Sequence, residues 1–539
     1  MKPFAASGAF RPAADRDGLR RLAVRGAGVT VFSQSLGFAV QMIATVVLAR
    51  LLTPSDFGLV TMVTTFSLLL LNCGLNGFTE AVLQRDEIDH SLATNLFWIS
   101  AGLGLLLTIG FAAAGSLLAS LYGDPRVAGV AVAISVTILF TTVSVQHLAL
   151  LKRAMRFSVV SINDIVARAV SVAVSILFAW TGWGYWALVA GAISLSLATS
   201  IGAWASCRWV PGLPHRGVGT VPTVRFAMNT YARFVTNYFT RNIDNLLVGW
   251  IFGPQPLGFY KKAYDLFVLP ANQLSAPLTA VAVSALSRVD RHSTHYARCF
   301  LSALSTLAFV GMGLGAGLTL IGRDLIRLLL GPGWEESGRI FTVFGPGIGI
   351  MLLYGTHGWI HLSIGRADRW FRWGIVEFAV TGLLFLAGLP WGPVGIAVAW
   401  VASFWILTIP ALWYAGRPIR LGIVPVIGAV WKYILASALA GCGSAVIIRG
   451  IPSLALGSGS MGAIGRIVVI SALFGALYLG AVILSHRGCD PIRGVVALLR
   501  EMVPWDRLSR PSPAVATTPW HQHERGAHPS PSKEKDLVT

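Results

Sequence analysis

The sequence predicts an all-α integral membrane protein with about fourteen transmembrane helices, and three observations lead there. The 539-residue chain is 55% hydrophobic and only 12% charged, about half the charged fraction of a soluble domain. Four stretches, 127–151, 169–207, 378–416 and 467–486, contain no Asp, Glu, Lys or Arg. Each can cross a hydrocarbon core of about 30 Å as a helix of roughly 20 residues. None alternates polar and apolar residues as the strands of a membrane barrel do, which excludes that class.

In chain order the apolar windows fall at 28–49, 58–83, 93–118, 127–150, 160–180, 183–205, 226–251, 258–286, 300–321, 340–362, 373–389, 393–414, 423–448 and 462–484. The short apolar run 325–330 follows Arg323 and Asp324 and reads as an interfacial segment. Pro346 removes a backbone donor inside the tenth window and predicts a kink there. After Ser485 the chain turns rich in Pro, Ser and His and reads as a disordered tail.

The net charge of +19 lies in short basic clusters between the apolar runs. That placement speaks for topology and against nucleic acid as a partner. With the N-terminus inside, the inner segments before the tail carry roughly 21 Lys and Arg and the outer turns about 8, so both termini are expected in the cytoplasm. The acidic stretch 84–89 counts little in this rule. The N-terminal segment 1–26 is basic, and its first apolar run continues into a full span rather than a signal-peptide cleavage site. Cys73, Cys207, Cys299, Cys442 and Cys489 have no ligand-like spacing and read as free thiols.

The chain repeats itself. ARLLTPSDFGLV at 49–60 matches GWIFGPQPLGFY at 249–260, aligning Pro54 with Pro254 and Gly58 with Gly258. LYGDP at 121–125 matches LLGPG at 329–333, and GWGYWAL at 182–188 matches PWGPVGI at 390–396. A parallel repeat of two six-helix bundles is a common transporter design. The expected organisation is a basic N-terminus (1–27), a first bundle (28–206), a cytoplasmic linker (207–225), a second bundle (226–415), two extra helices (416–485) and the tail (486–539).

The stretches LARLLTPSDFGLV, GLNGFTEAVLQRDEID, NIDNLLVGWIFGPQPLGFYKKAYDLFVLP, SALSRVD and DLIRLLLGPGW together resemble the polysaccharide transport family of the multidrug/oligosaccharidyl-lipid/polysaccharide exporter superfamily. Its Wzx-type lipopolysaccharide, O-antigen and exopolysaccharide flippases are the most similar members. The resemblance runs from about Gly28 to Arg372 and more loosely to Leu484. It implies a bacterial inner-membrane protein that is no enzyme and moves an undecaprenyl-pyrophosphate-linked oligosaccharide from the cytoplasmic to the periplasmic leaflet. It implies as partners the lipid-linked oligosaccharide, membrane lipids and polysaccharide-building enzymes such as a polymerase and glycosyltransferases.

The residues point to similar chemistry. A flippase passes a pyrophosphate and a polar glycan through hydrocarbon, so its cleft needs cations and hydrogen-bonding groups; charges at bilayer depth face a cavity or a partner. The seventh window carries Asn229, Arg233, Asn237, Arg241, Asp244 and Asn245 at three- and four-residue steps. Arg233, Asn237 and Asp244 lie within about 40° on a helix, with Arg241 about 80° from Arg233. The Arg fork suits phosphate oxygens. The repeat aligns Gln41 with Arg241, and Gln34 and Gln41 share one face of the first window. The competing reading is an Arg241–Asp244 pair that only ties helices together.

Lys261, Asp265 and Asn272 share a face of the eighth window, with Lys261 and Lys262 placed to snorkel to the interface. Asn72, Asn76 and Glu80 step along the second. Asp164 and Arg168 read as an i, i+4 structural pair, and Glu377 as a lone acid that suits a coupling ion. His357 and His361 stand four apart without an evident third ligand, which favours a lining role over a metal; His521 and His523 fall in the tail. No Gly-rich phosphate loop of the GxxxxGK[ST] type occurs, so no ATPase is expected. No cofactor and no metal are expected. Two rivals share part of these features. An ion-coupled drug or cation antiporter would favour acidic cavity residues, and a membrane polysaccharide polymerase would need a larger outer loop than the 323–339 region.

Overall fold

Helix-starting chemistry recurs along this chain, and the same device marks both copies of the repeat. In the computed structural model Thr53 donates its backbone N–H (2.8 Å) and its hydroxyl (2.7 Å) to the Asp56 carboxylate, which caps the helix opened by Pro54. Proline suits that first position because its missing donor would be unpaired there anyway. Pro254 opens the matching helix after Gly253, whose φ of 85° is left-handed territory that glycine occupies without strain. Asp89 and Ser293 start two further helices by accepting from Leu92 N and Tyr296 N.

The structure describes residues 3, 4, 8, 10, 16–72, 79–85, 87–215, 220–450 and 460–493. Among them the helices are α1 (Arg16–Leu51), α2 (Pro54–Asn72), α3 (Thr79–Gln84), α4 (His90–Ala113), α5 (Gly115–Tyr122), α6 (Arg126–Arg153), α7 (Phe157–Trp180), α8 (Trp186–Cys207), α9 (Thr220–Phe252), α10 (Pro254–Leu286), α11 (Thr294–Leu330), α12 (Glu335–Phe344), α13 (Gly347–Ser363), α14 (Ala367–Gly388), α15 (Gly392–Gly416), α16 (Ile423–Gly450) and α17 (Ser460–His486). No strand forms among the described residues. The described residues up to Gly488 make one packed unit.

The all-helical membrane class holds. Ten stretches among the described residues are long and apolar enough to cross a membrane, or eleven when the bent pair α12–α13 counts as one. One of them, Asp368–Ile419, spans 52 residues and contains both α14 and α15. On α7 the exposed stripe Ile162, Val166, Val170 and Leu177 follows helical steps. Apolar stripes this exposed fit lipid as the neighbour rather than water.

Two local expectations can be followed here. Residues 325–330 form the last turns of α11, which runs unbroken for 37 residues to Leu330. The polar step that suggested a break is neutralised: Asp324 takes Nη2 (2.5 Å) and Nε (3.1 Å) of Arg466 from α17. The expected kink at Pro346 is present, as α12 and α13 meet at 48° across the Gly345–Pro346 break. In the α5–α6 turn the Arg126 side chain bonds Asp124 at 2.7 Å and holds its carboxyl below the usual carboxylate range.

First-half helices pack as α1 on α7, α7 on α8, and α6 on α4 and α8; in the second half α13 meets α10, α11 and α15, and α14 lies on α15. The halves meet where α2 starts against the start of α10. A methyl group on Gly58 would stand 1.7 Å from the Pro254 carbonyl oxygen, and one on Gly258 would stand 1.8 Å from that of Pro54. The two aligned motifs thus pack on each other reciprocally, each glycine clearing space for the other helix's first carbonyl. Around this crossing Trp334 donates its indole N–H to Ala49 O (2.8 Å), Arg50 donates to Leu328 O (2.8 Å), and the Lys262 ammonium sits 3.9 Å over the Phe57 ring.

Trp334 is 2% exposed and wedges against Phe57 and Phe259. Trp334→Phe keeps those ring contacts but leaves Ala49 O without its indole donor. It is expected to cost about 1–3 kcal/mol, read as a lower thermal unfolding midpoint in detergent, whereas Trp391→Phe, at an exposed ring, leaves the midpoint unchanged.

Candidate functional site

The polar face of α9 meets α10, α14 and α15 in the second half. Arg241 lies eleven residues before the α9 end at Phe252, about 16 Å along the helix axis. Glu377 lies eleven residues before the α14 end at Gly388, at a matching depth. Arg241 and Glu377 line a common small pocket with Tyr264 of α10, Thr381 of α14, and Ser403 and Phe404 of α15. Arg241 is exposed and Glu377 partly so.

Asp244 does not join them. It is 1% exposed, and its carboxylate accepts from Tyr260 Oη at 2.7 Å and from Asn245 N at 2.8 Å. Its bonded partner across the helices is thus Tyr260 of α10 rather than Arg241. The direction follows from helical geometry: Asp244 lies three residues beyond Arg241, about 60° round the helix, enough to turn it from the pocket into the α9–α10 contact. Asn245 is also buried, at 2% exposure. A carboxylate so enclosed depends on its donors. Tyr260→Phe is therefore expected to destabilise the protein by about 1–3 kcal/mol, with a less-than-additive cost in Tyr260→Phe/Asp244→Ala, as thermal denaturation of the four-member cycle would read.

The other expected residues are placed as follows. The backbone of 229, 233 and 237 lies on α9, but the side chains of Asn229, Arg233 and Asn237 lie outside the described residues, as do Asn76, the Glu80 side chain, His521 and His523. Gln34 and Gln41 are exposed on α1, on the face opposite the lipid-type stripe Phe32, Leu36 and Ile43. Lys261 and Asp265 pair at 2.6 Å and remain partly exposed, at 28% and 41% of their side chains. Asn272 is exposed on α10. Asp164 and Arg168 form the i, i+4 pair at 2.9 Å, and Asn72 bonds back to Leu68 O. Among the described residues no group of three or more His, Cys, Asp or Glu side chains is placed to hold a metal ion.

Sequence reasoning missed the tyrosines. Tyr260 and Tyr264 stand one turn apart on α10 and present their rings nearly parallel, 6.4 Å apart; Tyr260 holds Asp244 and Tyr264 walls the pocket. Their four-residue spacing opposite the polar face of the seventh window was the available signal. Tyr354 of α13 was missed too: its hydroxyl accepts from Trp373 Nε1 at 2.9 Å and lies beside the Glu377 carboxyl group.

With this geometry set, comparison with known proteins decides the family. The family model described as polysaccharide biosynthesis protein matches residues 47–339, more than half of the chain. The chain belongs to that family. Like other polysaccharide biosynthesis proteins of this type it is a multi-pass membrane protein of flippase-like kind. It is 22% identical over 409 residues to the lipopolysaccharide biosynthesis protein WzxC of Escherichia coli K12, covering 74% of this chain and 82% of that one. It is 24% identical to the teichuronic acid biosynthesis protein TuaB of Bacillus subtilis 168, covering 68% and 76%. Among solved structures it is similar to the lipid II flippase MurJ in an inward closed conformation, with a TM-score of 0.69, 14% identity and coverage of 86% and 99%. An inward-facing multidrug resistance MATE transporter of the MOP superfamily gives a TM-score of 0.57 at 13% identity, covering 71% and 94%. These structural likenesses establish the fold as that of the MOP transporters.

Proposed function

We propose that this protein carries an undecaprenyl-pyrophosphate-linked oligosaccharide across the bacterial inner membrane by alternating access. The observation that carries the reading is Arg241, an exposed guanidinium on α9 that lines a pocket between helices of the second half, in a chain of the polysaccharide biosynthesis family; with α9 taken as a span it stands near mid-membrane. A fixed cation at that depth is costly unless it serves an anion, and its planar fork matches phosphate oxygens two at a time. The similarity to the lipopolysaccharide biosynthesis protein WzxC and the teichuronic acid biosynthesis protein TuaB, and the fold shared with a lipid II flippase, support a lipid-linked sugar as cargo. Polymerases and glycosyltransferases of the same polymer are the proposed partners.

The architecture of this reading is fourteen transmembrane helices. Adding α9 and α10, each 33 residues long, and separating α14 from α15 brings the apolar stretches to the windows of the sequence. The first bundle takes 28–206 and the second 226–415, joined by 207–225 and followed by two helices in 416–485; both termini face the cytoplasm. The turn after α1 is then periplasmic, so the Gly58–Gly258 crossing closes the outer end. The cleft takes the pyrophosphate from the inner leaflet at Arg241, with Gln34, Gln41, Arg233, Asn237, Asn272 and the Lys261–Asp265 pair presenting polar groups to the glycan. The crossing then parts, and the sugar leaves outside while the lipid tail stays in the bilayer.

A second reading, a drug or cation antiporter, draws on the shared fold with the MATE transporter. It predicts free carboxylates, whereas Asp244 is enclosed and Glu377 shares its pocket with Arg241. Proteoliposomes loaded with a labelled undecaprenyl-pyrophosphate oligosaccharide separate the two. Translocation of the labelled lipid supports the flippase; export of small organic cations without lipid movement supports the antiporter.

A further inference from the structure

Below the Arg241 pocket the second half holds two buried imidazoles that the transport reading does not use. His357 is 4% exposed and His361 is fully buried, one turn apart on α13, with ring centroids 5.9 Å apart. The His357 Nδ1 lies 2.5 Å from Tyr354 O. A carbonyl only accepts, so Nδ1 carries the hydrogen and Nε2 keeps its lone pair. That Nε2 and both ring nitrogens of His361 have no protein partner among the described residues. Buried polar atoms left open in this way call for a role.

We propose that His357 and His361 form a proton-binding site whose occupancy is linked to anion binding at Arg241. The site takes one proton from water through an imidazole lone pair; no bond but N–H forms, and the pair gains one positive charge.

The surroundings tie that charge to the pocket. From α14 come Glu377, Asp368 and Arg369; from α15 Tyr414, whose ring lies 5.9 Å from His361 and 4.1 Å below the Arg369 guanidinium; from α9 Arg241; from α11 Tyr296, bonded to Ser363 of α13; and from α10 Tyr264, on the pocket wall. The charged side chains of α12, Glu335, Glu336 and Arg339, lie in its first half, away from α13. The Tyr354 ring is 4.6 Å from His357 and 5.2 Å from the ring of Phe404, which lines the pocket with Arg241 and Glu377.

Glu377 and Arg241 line one pocket as opposite charges. A proton on the histidine pair gives Glu377 a second cation to face and leaves Arg241 more available to an anion. Proton and anion therefore favour each other's binding, and by linkage the factor is the same in both directions.

This inference rests on the pyrophosphate reading for its ligand but not for its first test. The full-length protein in lipid nanodiscs, labelled with 15N-histidine, is titrated from pH 8 to pH 3.5 without ligand, since burial holds back the charged imidazolium. Loss of one imidazole resonance set assigned by His357→Gln and His361→Gln, and its replacement by imidazolium signals, is expected; imidazoles that stay neutral throughout overturn the proposal whether or not any ligand binds. Undecaprenyl pyrophosphate is then bound at pH 8 and pH 5.5. Wild type is expected to bind about tenfold tighter at the lower pH. A phosphate group loses negative charge as pH falls, so the ligand's own titration works against that rise. The variant His357→Gln/His361→Gln is expected to match wild type at pH 8 and to lose the gain. A wild-type affinity that is flat or weaker at pH 5.5, or a variant that keeps the full gain, overturns the linkage. If wild type binds no undecaprenyl pyrophosphate at either pH, the pyrophosphate reading and the linkage both fall, and the resonances alone decide the proton site.

Discussion

Gly58→Ala is expected to open the sealed end of the protein. The added methyl would stand 1.7 Å from the Pro254 carbonyl oxygen and 2.5 Å from its carbon. Both belong to backbone, so no side-chain rotation relieves the clash and α2 and α10 must move apart. Overpacking of a tight contact costs about 1–3 kcal/mol, charged here against the closed arrangement alone. That shifts the ratio of closed to open molecules by roughly 5- to 150-fold. Gly258→Ala meets Pro54 O at 1.8 Å and is expected to act alike, with the double variant still more open. The measurement is labelling by a membrane-impermeant thiol reagent of a cysteine at Met62, one turn further along α2 and fully buried. Labelling rises in the glycine variants and stays at background in Gly102→Ala, where a methyl meets nothing within 4 Å. Unchanged labelling in Gly58→Ala and Gly258→Ala removes the crossing from the gate.

The second large effect is at Arg241. Arg241→Ala removes the guanidinium from a pocket that keeps the Glu377 carboxyl group, so the site loses its attraction for an anion and retains a group that repels one. Charge-assisted bidentate bonds contribute about 1.5–3 kcal/mol each in partly buried settings, which sets the expected loss of undecaprenyl-pyrophosphate affinity at roughly 10- to 100-fold. Arg241→Lys keeps charge without the planar fork and is expected to fall between. Glu377→Gln in the Arg241→Ala background recovers part of the loss, because the repelling charge goes too. Equilibrium binding at fixed ionic strength reads all four proteins; an Arg241→Ala affinity equal to wild type contradicts this account of the pocket.

Much of the fold was legible because lipid simplifies the code. Charge-free runs announce helices by length alone: 127–151 and 467–486 each lie within one helix, while 169–207 and 378–416 are each long enough to take in parts of two. Pro346 announced its own break. The 200-residue offset aligned Gly58 with Gly258 but did not say that the two would touch. Their meeting depends on how the halves pack, which no local pattern encodes. Before the 325–330 run hydropathy sees Asp324 as a lone charge, while the fold supplies Arg466 from 142 residues away. At the site the same limit applies. Periodicity gathered Arg241 and Asp244 on one polar sector, but a three-residue step is enough to send Asp244 into the helix contact with Tyr260. The Tyr354 contact with Glu377 and the open nitrogens of His357 and His361 are tertiary facts, visible once α13 and α14 are seen side by side.

The central claim is that a pyrophosphate-linked sugar crosses the membrane by way of Arg241. Its most direct test is the rate at which proteoliposomes carrying wild type or Arg241→Ala move a labelled undecaprenyl-pyrophosphate oligosaccharide between leaflets, with both proteins shown to be folded by their unfolding midpoints. The account predicts protein-dependent movement by wild type and loss of nearly all of it in Arg241→Ala. Movement at the wild-type rate in Arg241→Ala would contradict the site, and no movement by folded wild type would contradict the function.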